Sequence, residues 1–389
     1  MNITHLVALY GRRRAAALAP ALSGKFPIRN VTLICGASSH TTTTEALLAE
    51  RGIKLSVLRL ADMDSPGVIK RALDRALNLQ TDGGLSALNL SGSNPVFASI
   101  GTQVFRSRKL PILSLANRDG KLIWLAVPEG IQPDTGIEAN TGLTLKEHLA
   151  LAGMAITDCW QWLHNLETRW NPLCDLLVQA ARDHGNVVAD FGTICRSVSA
   201  DSLTTECLPP DNPGLLQLAK HVVNLGYAER VQIDPQRNSG FSLRLKDIDT
   251  VNVISGGWLE HHVLRMAQKL HAKGIVQDAA CGLKLDIGGG VENELDGLIL
   301  ANDQLFVIEC KARKGKGPRK ARGIGMETIY KIDSIRAIRG FRAHPVLVTL
   351  ANPSDVEAKR LEEESIKLLS YKSSLSCEDE LEKIVCGKI

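Results

Sequence analysis

The stretch Asn293-Glu294-Leu295-Asp296-Gly297-Leu298-Ile299-Leu300-Ala301-Asn302-Asp303-Gln304-Leu305-Phe306-Val307-Ile308-Glu309-Cys310-Lys311 reads as two strands rich in apolar residues around a two-residue turn. Asn-Asp is a weaker hairpin signal than Asn-Gly, but of the same kind. With those two residues as the turn, 301 pairs with 304, and by the same sum 296 pairs with 309 and 294 with 311. Asp296 then stands opposite Glu309, with Cβ atoms about 5 Å apart. Strand alternation puts Glu309 and Lys311 on one face and Ile308 and Cys310 on the other.

Two facing carboxylates form a hard-oxygen site suited to Mg²⁺ or Mn²⁺. A metal there polarises a phosphoryl oxygen and lowers the pKa of a bound water. Lys311, one pleat away, is placed to orient that water and to offset charge in the transition state. The competing reading is an exposed, ion-paired face, but the apolar setting of the strand disfavours it. Upstream, Gly256-Gly257-Trp258-Leu259-Glu260 opens a helix with an apolar stripe of Leu259, Val263, Met266 and Leu270. Glu260 lies beside that stripe, placed to complete the metal shell or, alternatively, to stabilise the helix dipole. His261 and His262 read as surface residues. The candidate catalytic set is therefore Glu260, Asp296, Glu309 and Lys311, and the candidate metal ligands are its three carboxylates.

Downstream, residues 311–322 contain seven basic residues and none acidic. Such a run beside a metal site suits a phosphate backbone, with Arg313, Lys314, Lys316, Arg319 and Lys320 as candidate nucleic-acid contacts. A helix follows, on which Tyr330 and Lys331 are further candidates.

Toward the N-terminus, candidate strands at 5–9, 31–35, 55–58, 85–90, 112–115 and 122–127 alternate with candidate helices at 15–22, 44–51, 67–79 and 96–105. That alternation predicts a parallel, doubly wound sheet, whose ligands bind beyond the C-terminal strand ends. Three polar loops fall there: Tyr10 to Arg14, Gly36 to His40, and Ser91 to Asn94. Their small residues, hydroxyls and arginines suit a phosphate-bearing ligand, and simple turns and caps are the alternative. Gly11, Arg12, Ser38, Ser39, His40, Asn89, Ser91, Gly92, Ser93 and Asn94 are the candidate contacts. No GxGxxG or GxxxxGK[ST] motif occurs, which argues against a standard dinucleotide or NTP site.

Between the two regions, helical patterns at 145–151, 170–184, 192–196 and 213–225 precede two short strands at 227–233 and 240–245, a winged-helix-like arrangement. The expected division is 1–140 for the doubly wound region, 141–250 for the helical middle and 251–389 for the region of the carboxylates. The 389 residues are ample for such a division. Nine scattered cysteines without a CxxC pair fit buried thiols in a reducing cytoplasm better than disulfides or zinc. No apolar run approaches the roughly 20 residues of a membrane span.

The order Glu on a helix, then Asp, then Glu-x-Lys on a hairpin, then a helix resembles the PD-(D/E)xK nuclease superfamily. Gly257-Trp258-Leu259-Glu260, Asn293-Glu294-Leu295-Asp296, Ile308-Glu309-Cys310-Lys311 and Tyr330-Lys331-Ile332-Asp333-Ser334-Ile335-Arg336 are similar, more closely, to the CRISPR ancillary nucleases that carry a CARF domain. The resemblance implies an α/β protein: an N-terminal Rossmann-like CARF sensor, a helical, winged-helix-like middle region, and a C-terminal restriction-endonuclease-like domain. It further implies a homodimer, cyclic tetra-adenylate as activator in type III CRISPR antiviral defence, and Mn²⁺- or Mg²⁺-dependent cutting of RNA or DNA. Family CARF domains often carry a T-G-G-T-K-like loop after the fourth strand. Here Leu90-Ser91-Gly92-Ser93-Asn94-Pro95 stands in that place, with Pro95 where the lysine is expected. Two rivals predict different behaviour. A nucleotide-sensing DNA-binding regulator would bind without cutting, and a constitutive repair- or restriction-type nuclease would cut without heeding the ring.

Overall fold

The computed structural model describes residues 1–11, 13–80, 83–116, 121–129, 136–138, 140–199, 201–206, 208–209, 211–231, 241–287, 292–312, 327–329, 331, 343–371 and 376–388. The first sheet is built from β1 (Ile3–Leu9), β2 (Asn30–Gly36), β3 (Lys54–Leu60), β4 (Leu85–Asn89), β5 (Ile112–Leu115), β6 (Lys121–Ala126) and β7 (Ile137–Glu138), in spatial order 3-2-1-4-5-6-7. Helices α1 (Arg14–Leu22), α2 (Thr42–Glu50), α3 (Pro66–Asn78) and α4 (Pro95–Ser107) join the first five strands, which run parallel. All seven residues of β1 are buried. One face of this strand enters a core with Leu18, Leu33 and Leu48, and the other a core with Leu73, Phe97 and Phe105. Burial on both faces is why β1 reads as a continuous apolar run. β6 departs from the expected parallel winding and pairs antiparallel with β5. The few residues between them are too short for a crossover helix.

α5 (Leu145–Ala152) leads from the first sheet to β8 (Ala155–Trp162). The sequence pattern did not reveal β8, which forms the edge of a second, six-stranded sheet of order 15-14-13-12-11-8. The helices expected at 170–184 and 192–196 are one long α6 (Asn171–Arg196), bent where His184 leaves helical geometry. α7 (Pro213–Asn224), β9 (Ala228–Val231) and β10 (Ser242–Leu245) follow, the last two antiparallel as expected for a wing. α8 (Ile248–Asn252) and a π-turn at Val253–Gly257 lead into α9 (Trp258–Ala272). The second sheet then forms from β11 (Val276–Asp286), β12 (Glu292–Ala301), β13 (Gln304–Lys311), β14 (Ala343–Thr349) and β15 (Lys367–Ser370), with α10 (Asp355–Glu363) and α11 (Cys377–Val385). Trp170, Phe191, Trp258 and Leu259 join α6 and α9 to one face of this sheet through Cys281, Ile299, Phe306 and Ile308.

Candidate active site

The hairpin forms as the sequence pattern requires: Ala301 pairs with Gln304, and the register continues to Gly297 opposite Ile308. Asn302 and Asp303 both have positive φ, at 50° and 58°. That is the signature of a type I′ turn, and Asn and Asp tolerate it better than most residues. The β12–β13 pairs end at Gly297–Ile308, one step short of the expected pair of Asp296 with Glu309. There the Asp296 carboxylate accepts the Cys310 backbone N–H at 2.7 Å. β13 pairs beyond this point with β14, placing Glu309 beside Leu347.

Glu309 is only 1% exposed, and two ammonium groups hold it. Lys311 Nζ lies 2.8 Å from Oε1 and Lys331 Nζ 2.9 Å from Oε2. Lys331, expected to contact nucleic acid, is thus a partner of the site's most buried carboxylate. Burial pulls its pKa down, but the hydrogen bond and charge of Glu309 outweigh this and leave it above the ordinary lysine value.

Glu260 faces the strands from the first turn of α9. With Asp296 it lines a pocket that also includes Val263, Cys281, Ile308 and Cys310. Burial, then the charges of Asp296, Glu294 and Glu309, push the Glu260 carboxyl up to about 8. Burial, then Glu309, push Asp296 up to about 6, although the Cys310 N–H and both lysines oppose the shift. The cluster holds more negative charge than its lysines neutralise easily, the electrostatic condition a divalent cation relieves. The donor chemistry therefore fits Mg²⁺ or Mn²⁺. The side chains do not converge into a ready cage: among the described residues, no group of three or more His, Cys, Asp and Glu is arranged to hold a metal. Glu309 does not line this pocket, although its charge acts on both Glu260 and Asp296.

Gly282 and Trp160, which the sequence reading passed over, pack beside Glu260 together with Gly257. Gly282 stands in register with Asp296 on one side and with Trp160 of β8 on the other. Its φ is +60°, and a Cβ there would lie 2.8 Å from Trp160 Cβ and 3.7 Å from Glu260 Oε2. At Gly257 a Cβ would meet the Trp160 ring at 3.3 Å. The histidines beside Glu260 are not surface residues. His261 is fully buried, its ring nitrogens 2.9 Å from Gln161 Oε1 and 3.0 Å from Asn171 Oδ1, and burial lowers its pKa to about 4. Burial lowers that of His262 to about 3. Both pack inward because α9 is covered by α6 as well as by the sheet. Arg313, Lys314, Lys316, Arg319, Lys320 and Tyr330 lie outside the described residues, as does Arg12.

In the first sheet the loops after β1 and β4 meet at the point where strand order reverses. A Cβ at Gly11 would lie 3.6 Å from the Gly92 carbonyl oxygen, and one at Gly92 would lie 2.6 Å from Arg13 Cβ. Asn89 and Ser91 are buried and hold the loop from within. Asn89 Nδ2 donates to the carbonyls of Ala16 and Ala17, and its Oδ1 accepts from the Ser91 N–H and hydroxyl. Asn94 caps α4 through the Phe97 N–H. Ser93 Oγ is buried with no partner among the described residues. Ser38 and His40 are exposed, and Arg59 braces their loop at the Ser39 carbonyl.

The geometry of the second sheet brings together an acidic, lysine-flanked cluster centred on a hairpin. The comparisons with known proteins agree with it. Residues 247–384 match the family described as Card1-like, endonuclease domain. That match covers about a third of the chain, and makes this segment similar to those endonucleases. Protein VC1899 from Vibrio cholerae superposes with a TM-score of 0.79 at 20% identity, covering 98% of each chain. Can2 from Sulfobacillus thermosulfidooxidans, solved in complex with cyclic tetra-adenylate, gives 0.74 at 20% identity, covering 98% of this chain and 97% of that one. A type III CRISPR defence DNA nuclease activated by cyclic oligoadenylate gives 0.51 at 16% identity, covering 98% of this chain and 51% of that one. No curated protein matches in sequence.

Proposed function

We propose that this chain is a divalent-metal-dependent endonuclease, gated by a cyclic oligoadenylate in type III CRISPR defence. The observation that carries the catalytic part is Glu309, buried between Lys311 and Lys331 and electrostatically coupled to Asp296, inside the segment that matches the Card1-like endonucleases. Asp296 and Glu309 would hold the metal, and Glu260 would extend the shell from α9. When bound, Mg²⁺ or Mn²⁺ supplies Lewis-acid activation of the phosphodiester and a nucleophilic water. Lys311 orients that water and stabilises negative charge developing on the phosphoryl oxygens. Lys331 holds the Glu309 carboxylate in place. The hydrophobic wall of Ile308 and Val263 restricts bulk water around the carboxylates, which strengthens each charge interaction.

The sensing part is supported by the meeting of the β1 and β4 loops at the switch of the first sheet and by the likeness to Can2, whose complex holds cyclic tetra-adenylate. We place the sensor at 1–140, the linking region at 141–250 with β8 lent to the second sheet, and the nuclease at 251–389, working as a homodimer. Ser93, Gly92, Gly11, Ser38 and His40 are the proposed ring contacts, and Asn89, Ser91 and Asn94 shape the loop they sit on. The test is cleavage of single-stranded RNA, single-stranded DNA and supercoiled plasmid with Mn²⁺ or Mg²⁺, with and without cyclic tetra-adenylate. Cutting only with ring and metal is expected. Cutting that ignores the ring would leave a constitutive nuclease, and metal-independent DNA binding without cutting would favour the regulator.

A further inference from the structure

The segment from Thr141 through α5 lies between the two sheets and is gripped from both. On the side of the second sheet, Asp303, the second residue of the hairpin turn, accepts the Thr141 N–H at 2.9 Å and also the Thr141 hydroxyl. Gln277 completes this contact: its amide donates to Asp303 Oδ1 at 2.8 Å, and its Oε1 accepts the Asp303 N–H at 2.7 Å. Asp278, buried on β11, accepts the N–H of Leu145, the first residue of α5, at 2.8 Å. Helix N-termini carry N–H groups with no partner inside the helix, so this contact fixes the start of α5.

On the side of the first sheet, two arginines hold the same segment by its carbonyls. Arg51, directly after α2, donates to the Thr141 carbonyl at 2.8 Å. Arg14, the first residue of α1, donates to the Leu151 carbonyl in the last turn of α5 at 2.9 Å, and its guanidinium lies over the Tyr10 ring. α1 follows the loop after β1, and α2 follows the loop after β2. Two of the three candidate ligand loops are therefore followed by a helix with an arginine, at its start or directly after its end, that grips the 141–152 segment.

We infer that Asp303 is a positioning residue for the carboxylate site, transmitting the placement of the first sheet, through Thr141 and α5, to the hairpin that carries Asp296 and Glu309. This rests on the reading above, with a sensor in the first sheet and a nuclease in the second. Asp303 sits six residues along β13 from Glu309, about 20 Å of extended strand. The strand is hydrogen-bonded on both sides over much of that length, so a shift at the turn moves the strand as a unit.

The experiment uses the full chain with Mn²⁺ and a single-stranded substrate, titrating cyclic tetra-adenylate, for wild type, Asp303→Asn and Thr141→Val. Asn tolerates the positive φ of the turn, and Thr141→Val removes the hydroxyl's contact with Asp303 and its long contact with the Leu143 N–H at 3.4 Å, leaving the backbone contacts. The expected result is a melting temperature and calorimetric ring affinity near wild type, ring-free cleavage within about twofold, KM unchanged, and ring-stimulated kcat reduced at least tenfold. Equal ring stimulation in wild type and in both folded variants overturns this inference alone. Wild-type cutting that ignores the ring overturns the gating reading and this inference with it. Should Asp303→Asn fail to fold, Thr141→Val carries the comparison.

Discussion

Glu260 gives the clearest residue-scale expectation. Its carboxyl is raised to about 8 by burial, then by Asp296, Glu294 and Glu309. An unfolded glutamate titrates near about 4.3. A raised value means the folded chain binds the proton more tightly than the unfolded chain does. The resulting stabilisation is complete below the unfolded value and is lost as pH rises toward about 8. In EDTA, wild type should therefore lose melting temperature between pH 5 and pH 8. Glu260→Gln, which cannot ionise, should lose less and be the more stable protein at pH 8. Differential scanning fluorimetry across that range decides it, and parallel slopes for the two proteins would remove the assignment. At Lys311 the expectation concerns rate: Lys311→Ala should lower metal-dependent cleavage by about 100-fold or more, since one preorganised charge at a reacting phosphoryl group has that order of effect. Cutting at the wild-type rate would take Lys311 out of the mechanism. Asp296, Glu309 and Lys311 were legible because they interrupt apolar strands, where a charge needs a reason. The second ammonium on Glu309 was harder to place, because Lys331 comes from a helical stretch whose packing against β13 leaves no periodic trace.

At the scale of elements, local chemistry decided what could be read. The hairpin was legible because two turn-forming residues sit between apolar runs, and its register follows by counting. β8 was not, because Ala-Ile-Thr-Asp-Cys-Trp-Gln-Trp mixes exposed and half-buried positions on both parities, as an edge strand allows. Gly282, on the neighbouring β11, packs against this strand. It lies between Trp160 and Asp296 across three strands, has positive φ, and leaves the space where the Glu260 carboxylate approaches. Gly282→Ala should cost about 1–3 kcal/mol of stability from backbone strain. The close approach to Trp160 adds to that cost, and displacement of Glu260 should reduce cleavage. Urea denaturation of the metal-free protein measures the first effect and a cleavage assay the second. A variant as stable and as active as wild type would show that the row of Trp160, Gly282 and Asp296 does not shape the pocket.

For the whole molecule, the doubly wound sheet was legible strand by strand, whereas the contact between the sheets was not. Thr141, Gln277 and Asp303 are distant in sequence and ordinary in composition, and only the fold brings them together. If that contact links the two sites energetically, as we infer, the linkage is reciprocal. If cyclic tetra-adenylate tightens substrate binding by some factor, substrate must tighten ring binding by the same factor. Lys311→Ala allows the measurement without turnover, because it removes cutting while leaving the first sheet untouched. Ring affinity should equal that of wild type, measured by calorimetry in the absence of substrate. Ring affinity with and without a saturating oligonucleotide, and oligonucleotide affinity with and without saturating ring, should then change by equal factors. Two factors of one, in a protein whose wild type is ring-stimulated, would mean that the ring acts on the chemical step alone, as expected if the hairpin shifts the carboxylates without changing how the strand is held. Lost ring binding in Lys311→Ala would show instead that the nuclease half is needed to build the sensor.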